Sequence, residues 1–175
     1  MKTVSDLMVP FEEYPHVFAG DSLQDAVKAV VRALVGPRED PSRPRDRGVL
    51  VQAADGRVIG KLSMWDLLAG LEPGHEPPID PFGAIADHFL WSQWLHDDLA
   101  SRARSTKVEA LLNKAPKYET IDEKAPLDLA VHRLIRGKHL SLLVTRGDNI
   151  IGILRLSDAF KAVNDMIGAP QPAPA

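Results

Sequence analysis

The chain has 175 residues and no cysteine, which excludes disulfide bonds and thiolate metal ligands. It has no apolar run near the roughly 18 residues of a membrane span, and residues 1–16 lack the apolar core of a signal peptide. We therefore expect a cytoplasmic protein that does not enter a membrane. Basic charge is not in excess either: the net charge is −3, which argues against nucleic acid as a partner. The hydrophobic content of 45% is enough for a buried core.

Two stretches have the apolar spacing of amphipathic helices. One begins at Leu23 and the other at Leu127, and both place apolar side chains at i, i+3, i+4, i+7 and i+8. Ser22 and Asp25 form the start signal of a capping box before the first, and Pro126 stands at the tolerated start of the second. The pattern predicts a helix in each place.

Each predicted helix is followed by two short apolar runs that are joined by a polar turn and closed by a glycine. The two sequences are GVLVQAADGRVIG and LSLLVTRGDNIIG. Asp55-Gly56 and residues 147–149 are suited to tight hairpin turns, because Gly and Asn tolerate a positive φ. Since another helix follows each hairpin, the sequence predicts an α+β protein built from two βαββα units.

The spacing of the two units supports an internal repeat. Asp66 and Asp158 are 92 residues apart, as are the glycines that close the two hairpins, whereas the first helices start 104 residues apart. The difference of 12 residues is accounted for by residues 36–47, GPREDPSRPRDR, whose prolines and charges are typical of a surface loop. We therefore predict one loop insertion, in the first unit.

The predicted organisation is repeat 1 at 4–71, a helical connector at 72–107, repeat 2 at 108–167 and a disordered tail at 168–175. Asp80 followed by a proline is a helix start signal within the connector. The apolar side chains of this helix cover a broad face, so we expect it to pack, for example across a dimer. The tail is rich in proline and small residues, which cannot build a core.

The segments GKLSMWDLL at 60–68 and GILRLSDAF at 152–160 resemble the closing signature of CBS domains, named after cystathionine beta-synthase. The openings DLMVPFEEYPHVFAGDSLQDAV and ALLNKAPKYETIDEKAPLDLAV are also similar to this family, as is the strand-opening segment KHLSLLV. The resemblance implies two CBS repeats paired about a pseudo-twofold axis, a Bateman module. Such modules have two clefts that often bind adenine nucleotides.

For the first cleft, the resemblance implies that Asp66 accepts hydrogen bonds from ribose hydroxyls and that Ser63 adds a polar contact. Phosphate groups would face Lys138 and His139 of the other repeat. Thr120 matches a position where the family often has threonine. The residues also allow another interpretation, in which Ser63 is an N-cap and Asp66 completes a capping box that needs no ligand.

The second cleft departs from the family pattern. Asp158 is retained, but Arg155 stands where serine or threonine is usual, and the facing segment is 45–47. This arginine either reaches a phosphate or fills the cleft by pairing with Asp158, and the sequence leaves both open. We therefore expect the cleft of Ser63 and Asp66 to suit a nucleotide better.

The resemblance leads to the hypothesis of a stand-alone regulatory module that modulates a separate, unknown effector protein. It would need no cofactor, would bind AMP, ADP, ATP or S-adenosylmethionine as regulatory ligand, and would form a homodimer. The alternative is a ligand-free assembly or scaffold module that works through its dimer interface. We expect neither an enzyme nor a metal site, because no nucleophile and base converge and neither His88 nor His96 has a paired histidine at i, i+4 or a matching acid cluster.

Overall fold

The computed structural model describes residues 2–38, 40–72, 95–112 and 119–168. Within these ranges the helices are α1 (Leu23–Val35), α2 (Met64–Leu71), α3 (Leu99–Ser105), α4 (Leu127–Gly137) and α5 (Leu156–Gly168). The strands are β1 (Val9–Pro10), β2 (His16–Phe18), β3 (Gly48–Gln52), β4 (Val58–Ser63), β5 (Thr120–Asp122), β6 (Ser141–Arg146) and β7 (Asn149–Arg155). Short 3₁₀ turns lie at Val4–Asp6, Phe11–Glu13 and Val108–Leu111.

The two halves of the chain have the same topology. In the first half β2 is parallel to β3 and β3 is antiparallel to β4; in the second half β5, β6 and β7 repeat this arrangement. The hairpin turns contain Gly56 at φ +86° and Gly147 at φ +60°, a conformation that glycine adopts without steric cost. The predicted α+β fold of two βαββα units is confirmed.

The first helix of each half packs its apolar stripe on the adjoining sheet. Ser22 caps α1 and forms a capping box with Asp25, as the sequence predicts. Pro126 stands directly before α4, whose buried face includes Leu127 and Leu134. Burial of one such leucine contributes about 1.5 to 3 kcal/mol relative to exposure, so these stripes hold the helices on the sheets.

The opening turn of each half packs against the other half. Val4 lies in the core of the second half and its N–H donates to the Ala125 carbonyl at 2.9 Å. Val108, 104 residues later, lies in the core of the first half and donates to the Asp21 carbonyl at 2.9 Å. This exchange fixes the relative placement of the two repeats.

A third group of buried side chains joins the repeats directly. It consists of Val9, Tyr14, Leu50, Leu143 and Ile153. Strand β1 pairs with β7 of the second half, and Gly152 permits this approach because a Cβ there would lie 2.3 Å from the Val9 carbonyl oxygen. The two repeats therefore meet in a shared group of buried side chains.

Part of the predicted connector is described, as α3, which packs against α1 and α2. Its Ala103 is buried, and the Arg102 Nε donates to the Leu71 carbonyl at 3.0 Å. The predicted helix start at Asp80 and residues 169–175 of the predicted tail lie outside the described residues, whereas Gly168, the first residue of that tail, ends α5. None of the described helices is long and apolar enough to cross a membrane.

Candidate ligand-binding cleft

A cavity of about 620 Å³ opens between the repeats, at the same end of both hairpins. Ser63, at the end of β4, lies opposite Gly48 in the sheet, and Arg155, at the end of β7, lies opposite Ser141. All four residues line the cavity. Sites for small molecules usually measure about 300 to 1,000 Å³, so the space suits a ligand of nucleotide size.

Ser63 and Asp66 form the capping box that the sequence allows. The Ser63 N–H and hydroxyl both donate to Asp66 Oδ2 at 2.7 Å, and the Asp66 N–H donates to Ser63 Oγ at 3.3 Å. Both side chains are half-buried, and Ser63 lines the cavity. Asp66 Oδ1 takes part in none of these bonds. The carboxylate is thus held in a fixed orientation at the start of α2.

Lys61, two residues before Ser63, links the repeats. Its Nζ donates to the carbonyl and the hydroxyl of Ser141 at 2.6 and 3.0 Å and lies 3.9 Å from Glu119 Oε2. Burial lowers the pKa of Lys61, although the charges of Glu119 and Asp66 oppose this effect. Neither Lys61 nor Glu119 is among the site residues predicted from the sequence. The repeat offset of 92 residues could have identified Lys61. Its counterpart in the second repeat is the buried Ile153, so a lysine at this position is a charged residue where the other repeat has a core residue.

Lys138, His139 and Thr120 do not line the cavity, but the structure brings His139 to its edge. The His139 Nδ1 lies 3.5 Å from Glu119 Oε1, the carboxylate that also faces Lys61. Its Nε2 is buried and has no hydrogen-bond partner within the described ranges. Lys138 ends α4 at φ +51° and is exposed, whereas Thr120 begins β5 next to Glu119.

Arg155 lies in the half of the cavity next to Asp158, which is called the second half of the cavity below. Its guanidinium pairs with two carboxylates. Its Nε and Nη2 donate to Asp158 at 2.5 and 2.7 Å, and its Nη1 donates to Asp46 at 2.5 Å and to the Pro44 carbonyl at 2.7 Å. The side chain is only 6% exposed. Of the two possibilities that the sequence leaves open, the structure contains the pairing with Asp158. Arg155 also takes the position before α5 that Ser63 takes before α2.

The environment of this ion pair is buried and crowded. Burial raises the pKa of Asp46, although the neighbouring Arg155 guanidinium opposes this effect. Burial also raises the pKa of Tyr14, which lines the cavity beside Asp46. A Cβ on Gly48 would meet the Leu62 carbonyl at 2.6 Å, so glycine is required where β3 passes this point. Buried and half-buried groups therefore surround the guanidinium on the side of Asp46 and Tyr14.

Three further arginines from the loop at 36–47 line the cavity: Arg38, Arg45 and Arg47. The Arg45 Nη1 donates to the Ala33 and Gly36 carbonyls at the end of α1, both at 3.0 Å. The Arg38 Nη1 donates to a backbone carbonyl at 3.3 Å. In the part of the chain that the structure describes, none of the three forms a direct ion pair with a carboxylate, although the charge of Arg38 reaches Asp40 of the same loop. This wall of the cavity is positively charged.

The histidines considered for metal binding do not form a cluster in the described residues. His96 is exposed, and His88 lies outside the described ranges. Within those ranges, no group of three or more histidine, aspartate or glutamate side chains is arranged to hold a metal ion.

Comparison with known proteins identifies the fold. The family model of the CBS domain matches residues 108–165. No curated protein sequence matches the chain. CBSX2 from Arabidopsis thaliana, solved in complex with AMP, is 21% identical with a TM-score of 0.63, over 95% of this chain and 99% of CBSX2.

Two bacterial structures are similar to the same extent. A CBS domain-containing protein from Bacillus anthracis is 17% identical, with a TM-score of 0.66 over 94% of each chain. One from Kribbella flavida is 16% identical, with a TM-score of 0.63 over 94% of this chain and 99% of that protein. These likenesses extend over both halves, whereas the sequence match covers only the second. Residues 108–165 therefore match the CBS domain, and the fold of the described chain is that of the CBS-pair structures.

Proposed function

We propose that this CBS pair is a regulatory module, not an enzyme, that binds an adenine nucleotide or a related adenosyl ligand between its repeats and modulates a separate protein. The observation that carries the proposal is the cavity of about 620 Å³, which both repeats line with polar and cationic side chains. The fold of CBSX2, solved with AMP, supports the choice of ligand class. Regulation requires the ligand to bind one arrangement of the repeats more tightly than another.

In the proposed binding mode, Asp66 accepts hydrogen bonds from ribose hydroxyls and Ser63 contacts the same sugar. The capping box supports this role because it orients the Asp66 carboxylate. The start of α2 favours nearby anionic phosphate, since its backbone N–H groups point outward. Lys138 and His139 would face the phosphate from the other repeat, with Thr120 beside them. Glu119 adds a negative charge there, which Lys61 would offset.

The Arg155 and Asp158 pair favours one nucleoside per chain, in the half of the cavity that contains Ser63. A ribose at Asp158 would have to displace a guanidinium that holds both carboxylate oxygens. The same pair is the observation that favours a second candidate function. If the Arg155 side chain only occupies the cleft in place of a ligand, the chain is a ligand-free assembly module that works through its interfaces.

We also propose that the module forms a homodimer. Leu68 on α2 and Phe160 on α5 are 56% and 74% exposed, and they occupy corresponding positions of the two repeats. A twofold interface uses the same surface on both subunits. Leu68 and Phe160, which correspond to each other in the two repeats of one chain, would both lie on that surface. Sedimentation of the wild type and of Leu68→Glu tests this, and a wild-type monomer at micromolar concentration would contradict it.

Calorimetry of the full chain with AMP, ADP, ATP and S-adenosylmethionine tests the ligand proposal. Asp66→Ala should weaken binding by about 1 to 3 kcal/mol, roughly five- to 150-fold, because a charged acceptor is lost. Asp25→Ala is the matched control: it removes the same capping box from α1, away from the cavity lining, and should bind like the wild type. Absence of binding by all four compounds would contradict the ligand proposal and favour the assembly module.

A further inference from the structure

The loop at 36–47 is the main difference between the repeats. Only residues 138–140 separate α4 from β6, whereas twelve residues separate α1 from β3. The other repeat holds this loop, because Arg155 donates to the Pro44 carbonyl and to Asp46. Arg43 of the loop also pairs with Glu13 at 2.8 Å. The loop is therefore fastened to the second half of the cavity.

The charges in this half of the cavity are not balanced. The Arg155 guanidinium is offset by Asp46 and Asp158, and Lys61 lies near Glu119. Arg38 and Arg47 line the cavity, and the charge of Arg38 reaches Asp40, whose pKa is lowered by hydrogen bonds from Ser42 and, to a lesser extent, by this charge. Among the described residues, neither arginine forms a direct ion pair with a carboxylate. The same holds for Arg45, which donates to backbone carbonyls. Guanidinium groups with unused donors match the oxygens of phosphate, often two bonds at a time.

We propose that the loop arginines form an anion half-site that receives the polyphosphate chain of a nucleoside triphosphate. The nucleoside would lie at Ser63, and the phosphates would extend through the same cavity to Arg38, Arg45 and Arg47. The ligand of this module is then a triphosphate of the ATP class in preference to AMP. The identity of the nucleoside rests on the proposed function above, whereas the anion half-site rests on the loop alone.

The test compares AMP, ATP and inorganic tripolyphosphate by calorimetry on the full chain, with EDTA present. The variant is Arg38→Gln/Arg47→Gln; Arg45 is left intact because it caps the end of α1. The control Arg104→Gln/Lys124→Gln removes the same charge from exposed positions outside the cavity lining.

We expect wild type and control to bind ATP at least about tenfold more tightly than AMP and to bind tripolyphosphate. The Arg38→Gln/Arg47→Gln variant should lose this ratio and retain its affinity for AMP. If AMP binds but ATP binds no more tightly, or the ratio survives in the variant, the inference is wrong and the proposed function stands. If only tripolyphosphate binds, through the two arginines, the anion half-site stands and AMP and ATP are excluded as ligands of the module. Binding of none of the three overturns the anion half-site, and S-adenosylmethionine in the calorimetry above then decides the adenosyl proposal.

Discussion

Arg155 and Asp158 stand in the same i, i+3 relation as Ser63 and Asp66, 92 residues earlier, but they exchange two charged hydrogen bonds in place of a capping box. The carboxylate that would accept a ribose in one repeat is held by a guanidinium in the other. One substitution between duplicated signatures has therefore made the two halves of the cavity chemically different.

Replacing Arg155 should destabilise the protein strongly. Arg155→Met leaves Asp46 and Asp158 near each other without their shared cation, and loss of one partner from a buried ion pair costs about 3 kcal/mol or more. The measurement is urea unfolding at pH 7. Arg57→Met is the control, because its ion pair with Asp55 is exposed on both sides, and its midpoint should change little. Equal midpoints for the two variants would contradict this account of Arg155.

The stability contribution of Lys61 should depend on pH in the alkaline range. Its pKa in the folded state lies below the ordinary value of 10.5, so the unfolded chain binds more protons between these two values. Stability must then rise with pH across that window, as the folded protein sheds the penalty of a buried charge. Any stability advantage of Lys61→Met over the wild type should therefore shrink between pH 7 and pH 10.5 in urea unfolding. An advantage that is constant with pH would show that burial does not perturb Lys61.

The exchanged opening turns predict crossed effects of mutation. Val4 and Val108 are both fully buried, so each change to alanine should cost about 1 to 3 kcal/mol. Amide hydrogen exchange should locate the effect of Val4→Ala in β5, β6 and β7, and that of Val108→Ala in β2, β3 and β4. The two variants serve as each other's control. If each variant showed faster amide hydrogen exchange only in the repeat that follows its valine in the chain, the crossed packing of the opening turns would be contradicted.

Some of the candidate site was predictable because it depends on local chemistry. Ser63 and Asp66 are three residues apart at a helix start, so their capping box follows from sequence spacing. Their contact with a ligand stays a prediction, as does that of Lys138, His139 and Thr120. The partners of Lys61 and of Arg155 were beyond the sequence, since Ser141 and Asp46 lie 80 and 109 residues away along the chain.

The two βαββα units and their unequal loops follow from local sequence, because helix periodicity, hairpin turns and capping act over fewer than ten residues. Two features became visible only in the folded chain. The opening turn of each repeat packs against the other repeat, and Arg155 forms an ion pair with Asp46. The tertiary structure also placed three loop arginines in one cavity with Ser63. These features arise where distant segments meet, and there the balance of burial, charge and hydrogen bonding is set by neighbours that sequence spacing does not specify.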